Sequence, residues 1–178
     1  MDFLNPEENS LLELLQSGKR VLIITGEINS GKTSAVEKLI FLLQSAGKKT
    51  CGVYSRGILK DNKKIGFEIV DIKSGRAKQI ASVHAESNFN VSQGRYFFNV
   101  DIFDEYNKII MNSFDEDVII IDEIGPLELK DGGFFPLIQN CLANFKGKLV
   151  FVIRDHLIEN VLAKFNLGLD DAVIFKTS

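Results

Sequence analysis

The stretch VLIITGEINSGKTSAVEKL, Val21 to Leu39, decides the fold. Val21–Thr25 is an apolar run of the kind expected of a strand covered on both faces. It leads into GEINSGKT, which matches G-x-x-x-x-G-K-[ST] at Gly26, Gly31, Lys32 and Thr33. That spacing has a physical purpose. Glycines let the backbone turn tightly enough for successive N–H groups to converge on phosphate oxygens, and the helix that follows points its positive end at the same anion. Lys32 then reaches the β- and γ-phosphates, and the Thr33 hydroxyl is placed to ligate Mg²⁺. The residues expected to hold a nucleotide are therefore Gly26, Glu27, Ile28, Asn29, Ser30, Gly31, Lys32, Thr33 and Ser34. The motif requires a strand before it and a helix after it. Both are present, since Val36, Leu39, Ile40 and Leu43 form a stripe at helical spacing over Lys32–Gln44, closed by Gly47.

The bulk of the chain agrees with one domain over residues 1–178. Its apolar fraction of 45% is ample for a core, and a net charge of −3 supplies no global attraction to nucleic acid or anionic membrane. No apolar run is long enough to span a bilayer, and MDFLNPEENS lacks the basic-then-apolar order of a signal peptide. Cys51 and Cys141 show no metal spacing and read as small buried residues. The expectation is a soluble, reduced, cytoplasmic protein.

Outward from the loop, strands alternate with helices. LLELLQSGKR reads as a short helix ending at Gly18, and CGVYS as a second strand. The region Gly57–Ser82 breaks this rhythm: three strand-like pieces separated by DNKK and KSGR predict an inserted antiparallel meander over about 57–82. DIFDEYNKIIMNS reads as a helix begun by Asp101. VIIID (Val118–Asp122) and LVFVI (Leu149–Ile153) read as buried strands, Phe134–Phe145 and His156–Phe165 as helices, and AVIF as a closing strand. The pattern means an α/β fold, a mostly parallel sheet with helices on both faces.

A second acidic site follows ninety residues on. DVIIIDEIGPLEL puts Asp122 and Glu123 at the carboxyl end of a buried strand, the end where open α/β sheets bind ligands. Asp122 is placed to hold Mg²⁺ through water or from behind its direct ligands, and Glu123 to take a proton from a water aligned on the γ-phosphate. The same pair would serve equally as a polar strand end without the phosphate loop. Phosphate-loop ATPases with a glutamate here insert a strand between the loop strand and the acidic one. Leu149–Ile153 would be that strand, bringing Arg154 to the γ-phosphate as a charge stabiliser; Arg56 and Arg95 are rivals for that role. His84 and His156 are isolated, and the lysines of KDNKK read as a solvated hairpin tip. No [NT]KxD guanine-reading motif occurs, which disfavours a dedicated GTPase switch.

Several stretches resemble one family: GEINSGKTS (26–34), CGVYSRGI (51–58), IGFEIVDIKSGR (65–76), IIIDEIGPLEL (119–129) and, more weakly, GRYFFNVDIFDEYN (94–107). They are similar to the small P-loop nucleoside-triphosphatases that include the cancer-related nucleoside triphosphatase and its prokaryotic thermophilic relatives. The resemblance implies a RecA-like core with a β-meander insert. It also implies slow Mg²⁺-dependent hydrolysis of nucleoside triphosphates, ATP and GTP among them, with loose base selectivity. The family's lysine and threonine match Lys32 and Thr33, and its Asp-Glu pair matches Asp122 and Glu123. The chain departs from the family pattern at Ile28–Asn29 and at Arg154-Asp155-His156. Two other readings stay open on the residues alone: a small-molecule or nucleoside kinase, with Glu123 deprotonating an acceptor hydroxyl, and a non-catalytic nucleotide-dependent adaptor.

Overall fold

The structure is a computed structural model and describes residues 11, 13, 15–85, 88–89, 91–168 and 170–177. The stretch Met1–Ser10 lies outside them. Of the helix read over LLELLQSGKR, Leu11, Glu13, Leu15 and Gln16 are helical.

The strands are β1 (Val21–Gly26), β2 (Thr50–Lys60), β3 (Lys63–Asp71), β4 (Ala77–Ser82), β5 (Val91–Gln93), β6 (Tyr96–Phe98), β7 (Val118–Ile124), β8 (Lys148–Arg154) and β9 (Ala172–Lys176). The helices are α1 (Lys32–Ser45), α2 (Val100–Met111), α3 (Pro126–Leu129), α4 (Phe135–Asn144) and α5 (Ile158–Lys164). Among the described residues the strands form one sheet in the order β5-β6-β4-β3-β2-β7-β8-β1-β9. β8 lies between β1 and β7 and runs parallel to both, as the acidic motif predicted. Alternate residues of the central strands bury on opposite faces. Leu22, Ile24, Ile120 and Val152 pack with Val36, Leu39 and Leu43 of α1. Ile23, Ile121, Phe151 and Ile153 pack with Phe103 of α2, Leu137, Ile138 and Cys141 of α4, and Val161 of α5. A strand buried on both sides needs no polar alternation, hence the continuous apolar runs. Cys51 and Cys141 are free and buried, and burial pushes both thiols up to about 12.

The meander departs from its predicted bounds. The strand expected to stop at Ser55 continues without a break to Lys60. Its first residues pair parallel with β7 (Thr50–Val53) and its later ones antiparallel with β3 (Val53–Lys60). Gly57, expected to open the first piece of the meander, is a position inside β2 where Lys64 of β3 crosses so closely that a Cβ would sit 2.7 Å from its side chain. The turn is Asp61-Asn62, both at positive φ (50° and 57°), as a two-residue hairpin connection requires. The antiparallel part also extends past Ser82 through β5 and β6. Two helix starts differ as well. Asn99, not Asp101, caps α2 by accepting from the Asp101 N–H at 3.1 Å, and the segment begun at His156 opens as a 3₁₀ turn over Asp155–Leu157 before α5.

Two local devices hold the sheet edge that carries the acidic pair. Where β2 and β7 pair, Gly52 has φ +120° and a Cβ there would lie 1.9 Å from the Ile120 carbonyl oxygen. In the chain after β7, buried Glu128 accepts from the N–H of Gly125 (2.8 Å) and of Phe134 (3.0 Å), drawing the connection to α4 tightly around one carboxyl. Burial pushes that carboxyl up to about 7, against the pull of its backbone donors.

Gly52→Ala is expected to destabilise the fold by about 2 kcal/mol or more, read from the urea midpoint, because backbone must move. Glu128→Gln turns an amide N–H toward one of the two backbone donors and should cost about 1–3 kcal/mol. The pH profile supplies a second readout. Between the unfolded carboxyl's range near 4.5 and the folded value near 7, the folded chain holds a proton that the unfolded chain releases. This contribution is therefore complete below the window and lost as pH rises through it. The Gln variant should show a shallower loss of stability from pH 4.5 to 7, and an unchanged slope would count against the assignment.

Candidate active site

The loop between β1 and α1 is shaped by its glycines. Gly26 has φ 155°, and a Cβ on it would fall 2.2 Å from Thr177 Oγ1 and 2.3 Å from Ser30 Oγ. Those two hydroxyls hydrogen-bond each other at 2.6 Å, and Thr177 bonds back to the Thr25 carbonyl through its N–H (2.8 Å) and its hydroxyl (3.0 Å). A turn closes from the Ser30 N–H to the Glu27 carbonyl at 3.2 Å, and Gly31 (φ 83°) caps α1. The N–H groups of the first turn of α1 have no acceptor within the helix and face the loop mouth. Lys32 folds over the loop, donating to the carbonyls of Gly26 (2.9 Å) and Glu27.

Opposite the loop, Asp122 is buried at the end of β7. Its carboxylate accepts from the Ser55 N–H at 3.3 Å, and its carbonyl accepts from the Ser55 hydroxyl at 2.8 Å. Burial above all, and then the adjacent Glu123 charge, pushes Asp122 up to about 7, opposed by the Ser55 N–H and by Lys32. Thr33 donates from Oγ1 to the carbonyl of Ser55 at 3.4 Å, so Ser55 touches both residues named as metal ligands.

The pairing of β7 with β8 slips by one residue between Asp122 and Ile124. A bulge of this kind re-aims the extra side chain, and Glu123 is only partly buried while Asp122 and Ile124 are buried. Its carboxylate is gripped by Arg154 at the tip of β8: Nε faces Oε1, and Nη2 donates to Oε2 at 3.2 Å. Register brings these groups level, since Gly26 pairs with Arg154 across β1 and β8.

These predicted residues meet in one groove of about 720 Å³. Its walls are residues 28–34 on one side and Ser55, Gly57, Leu59 and Lys64 on the other, with Asp122, Glu123 and Arg154 between them. Gly26 and Glu27 lie behind the loop as acceptors for Lys32. Of the three candidate arginines, Arg154 and Arg95 line the groove. Arg56 alternates away from Ser55 and Gly57; it pairs with Glu68 at 2.9 Å and stacks near Tyr54.

Three contributors escaped the sequence reading. Ser55 looked like an ordinary strand residue. Thr177 lies far along the chain from the loop it braces. Asp155 accepts from the Thr25 hydroxyl at 2.7 Å and pairs with Lys176 at 2.6 Å, tying the tips of β1, β8 and β9 together. Those partners hold its carboxyl below the ordinary range. Its place directly after Arg154 was the available signal.

Among the described residues no helix is long and apolar enough to cross a membrane. The family described as NTPase matches residues 21–176. A nucleoside-triphosphatase THEP1 of Methanothermobacter thermautotrophicus is 37% identical over 125 residues, spanning 69% of this chain and 70% of that protein. The crystal structure of THEP1 from Aquifex aeolicus superposes with a TM-score of 0.67 at 27% identity, covering 89% of this chain and 90% of the other. The solution structure of a human cancer-related nucleoside triphosphatase shares the fold, with a TM-score of 0.68 at 23% identity over 89% of each chain. A phosphate loop facing an Asp-Glu strand end is what such an enzyme needs, and with a match running from β1 through β9 the chain belongs to the NTPase family and is a nucleoside-triphosphatase.

Proposed function

We propose that the groove binds a nucleoside triphosphate with Mg²⁺ and transfers its γ-phosphoryl group to water, giving the diphosphate and phosphate. The observation that carries this reading is the convergence of Lys32, Thr33, Asp122, Glu123 and Arg154 on one groove from three separate elements. Amides of residues 28–34 and the first turn of α1 would take the β- and γ-phosphates, and Lys32 would exchange its two carbonyl acceptors for phosphate oxygens. Glu123 would accept the proton of the attacking water.

The residues fit a hard divalent cation. Thr33 offers a hydroxyl and Asp122 a carboxylate, both oxygen donors. Among the described residues no group of three or more His, Cys, Asp or Glu side chains could hold a metal unaided. A cation taking one or two protein oxygens and the rest from phosphates and water is the Mg²⁺ pattern. When bound, it neutralises charge on the β- and γ-phosphate oxygens. Because burial raises the Asp122 carboxyl, an incoming cation must displace its proton, and the affinity for Mg²⁺ should increase as pH rises.

The Arg154–Glu123 pair supports slow turnover, since both groups are engaged with each other and would have to part before either served the phosphate. Broad base selectivity is supported by the relatives, whose names specify nucleoside triphosphates without naming a base. ATP and GTP are the expected substrates, with CTP and UTP accepted, and the protein is assigned to the cytoplasm.

Glu123→Gln should lower kcat by about 10²–10⁴ while leaving nucleotide affinity intact. Equal turnover by both forms would remove Glu123 from the chemistry. Steady-state phosphate release measured with ATP, GTP, CTP and UTP should fall to background when EDTA removes Mg²⁺ and return when Mg²⁺ is restored. Release that persists in EDTA, or is confined to one base, would overturn the corresponding part of the reading.

A further inference from the structure

A second cavity of about 290 Å³ opens on the far side of Glu123 from the phosphate loop. It lies between the sheet, α2 and the connection after β7, roofed by the β5–β6 hairpin. Its apolar wall carries five rings, Phe67, Tyr96, Phe98, Phe103 and Phe134, while Glu123, Glu128 and Arg154 supply charge. The rings brace one another edge to face, Phe67 on Tyr96 and Phe103 on Phe134, each at 4.9 Å between centroids. An apolar cavity held open in an otherwise close-packed interior is the usual form of a small-molecule site.

Its position narrows the ligand. Ser55, Phe67, Arg95, Tyr96, Glu123 and Arg154 line both this cavity and the phosphate groove, so the two spaces share a broad wall that includes the Glu123 carboxylate. Two pockets converging on one carboxylate is the arrangement of an enzyme with two substrates.

We infer that the aromatic cavity is an acceptor site: it binds a small, flat aromatic alcohol or phenol whose hydroxyl reaches Glu123 and takes the γ-phosphoryl group in place of water. The inference rests on the proposed nucleotide site in the adjoining groove. In the step, the acceptor O–H gives its proton to Glu123 and its oxygen forms the new bond to the γ-phosphorus. The bond from that phosphorus to the β–γ bridging oxygen breaks, and the electron pair leaves with the nucleoside diphosphate. No other reactant is consumed.

2-Naphthol is a suitable probe, because the chain has no tryptophan and naphthol emission is read against a low background. With γ-labelled ATP and Mg²⁺, the expected result is saturable binding of 2-naphthol and appearance of labelled 2-naphthyl phosphate beside free phosphate. Gln93 lines the cavity mouth at a partly exposed position. Gln93→Phe should reduce aryl phosphate formation by at least about tenfold while phosphate release with ATP alone continues at the wild-type rate. Ordinary ATP hydrolysis without naphthyl phosphate would overturn the acceptor assignment and leave the proposed hydrolysis standing. So would naphthol that binds and only alters hydrolysis, or transfer that Gln93→Phe leaves untouched. Absence of both hydrolysis and transfer would overturn the two readings together.

Discussion

Each ladder hydrogen bond between β1 and β8, and between β8 and β7, fixes how far one strand tip stands from the next. Gly26 is level with Arg154, and Thr25 with Ile153. On the other side Asp122 is level with Val152, and the one-residue slip after it throws Glu123 outward beside Arg154. These side chains are therefore held by backbone pairing in the most deeply buried part of the sheet. Slipping any of these strands by one residue would exchange its two buried faces and force the helices on both sides to repack. The accuracy of the site and the burial of the core are thus one constraint.

Charge is arranged around that frame by burial. Asp122 and Glu128 are both buried and both pushed up to about 7, yet they have different partners. Glu128 has two backbone donors and acts on the chain itself, gathering the connection after β7. Asp122 accepts the Ser55 N–H on its carboxylate and lines the groove. Glu123 is balanced by an arginine instead of being left isolated. Three carboxylates within seven residues are kept apart in role by what surrounds each.

How much of this could be read from residues depended on distance along the chain. The phosphate loop was legible because all its requirements fall within nine consecutive residues, and the acidic strand end because four apolar residues lead directly to it. The place of β8 was legible through chemistry, since a glutamate beside the aspartate implies an intervening strand. The run of β2 through Gly57 was not, because a glycine that marks a turn and one that admits a crossing lysine look identical in sequence. Glu128 looks like a surface residue of a short helix, and only the fold brings the Phe134 N–H to its second oxygen. The aromatic chamber draws its walls from residues 67 to 134, a span over which no local pattern announces proximity.

The continuity of β2 has a consequence for the architecture as a whole. One strand serves as edge partner to the parallel core at one end and as founding strand of the antiparallel half at the other. The meander is thus no appendage on a finished domain: excising it would strip hydrogen-bond partners from a strand that the core still requires, leaving a flat, unguarded border. Such borders template pairing with other chains and lead to aggregation. The short β5 at the far rim serves as the sheet's selvedge, and the antiparallel half covers the β2 border as much as it walls the pockets.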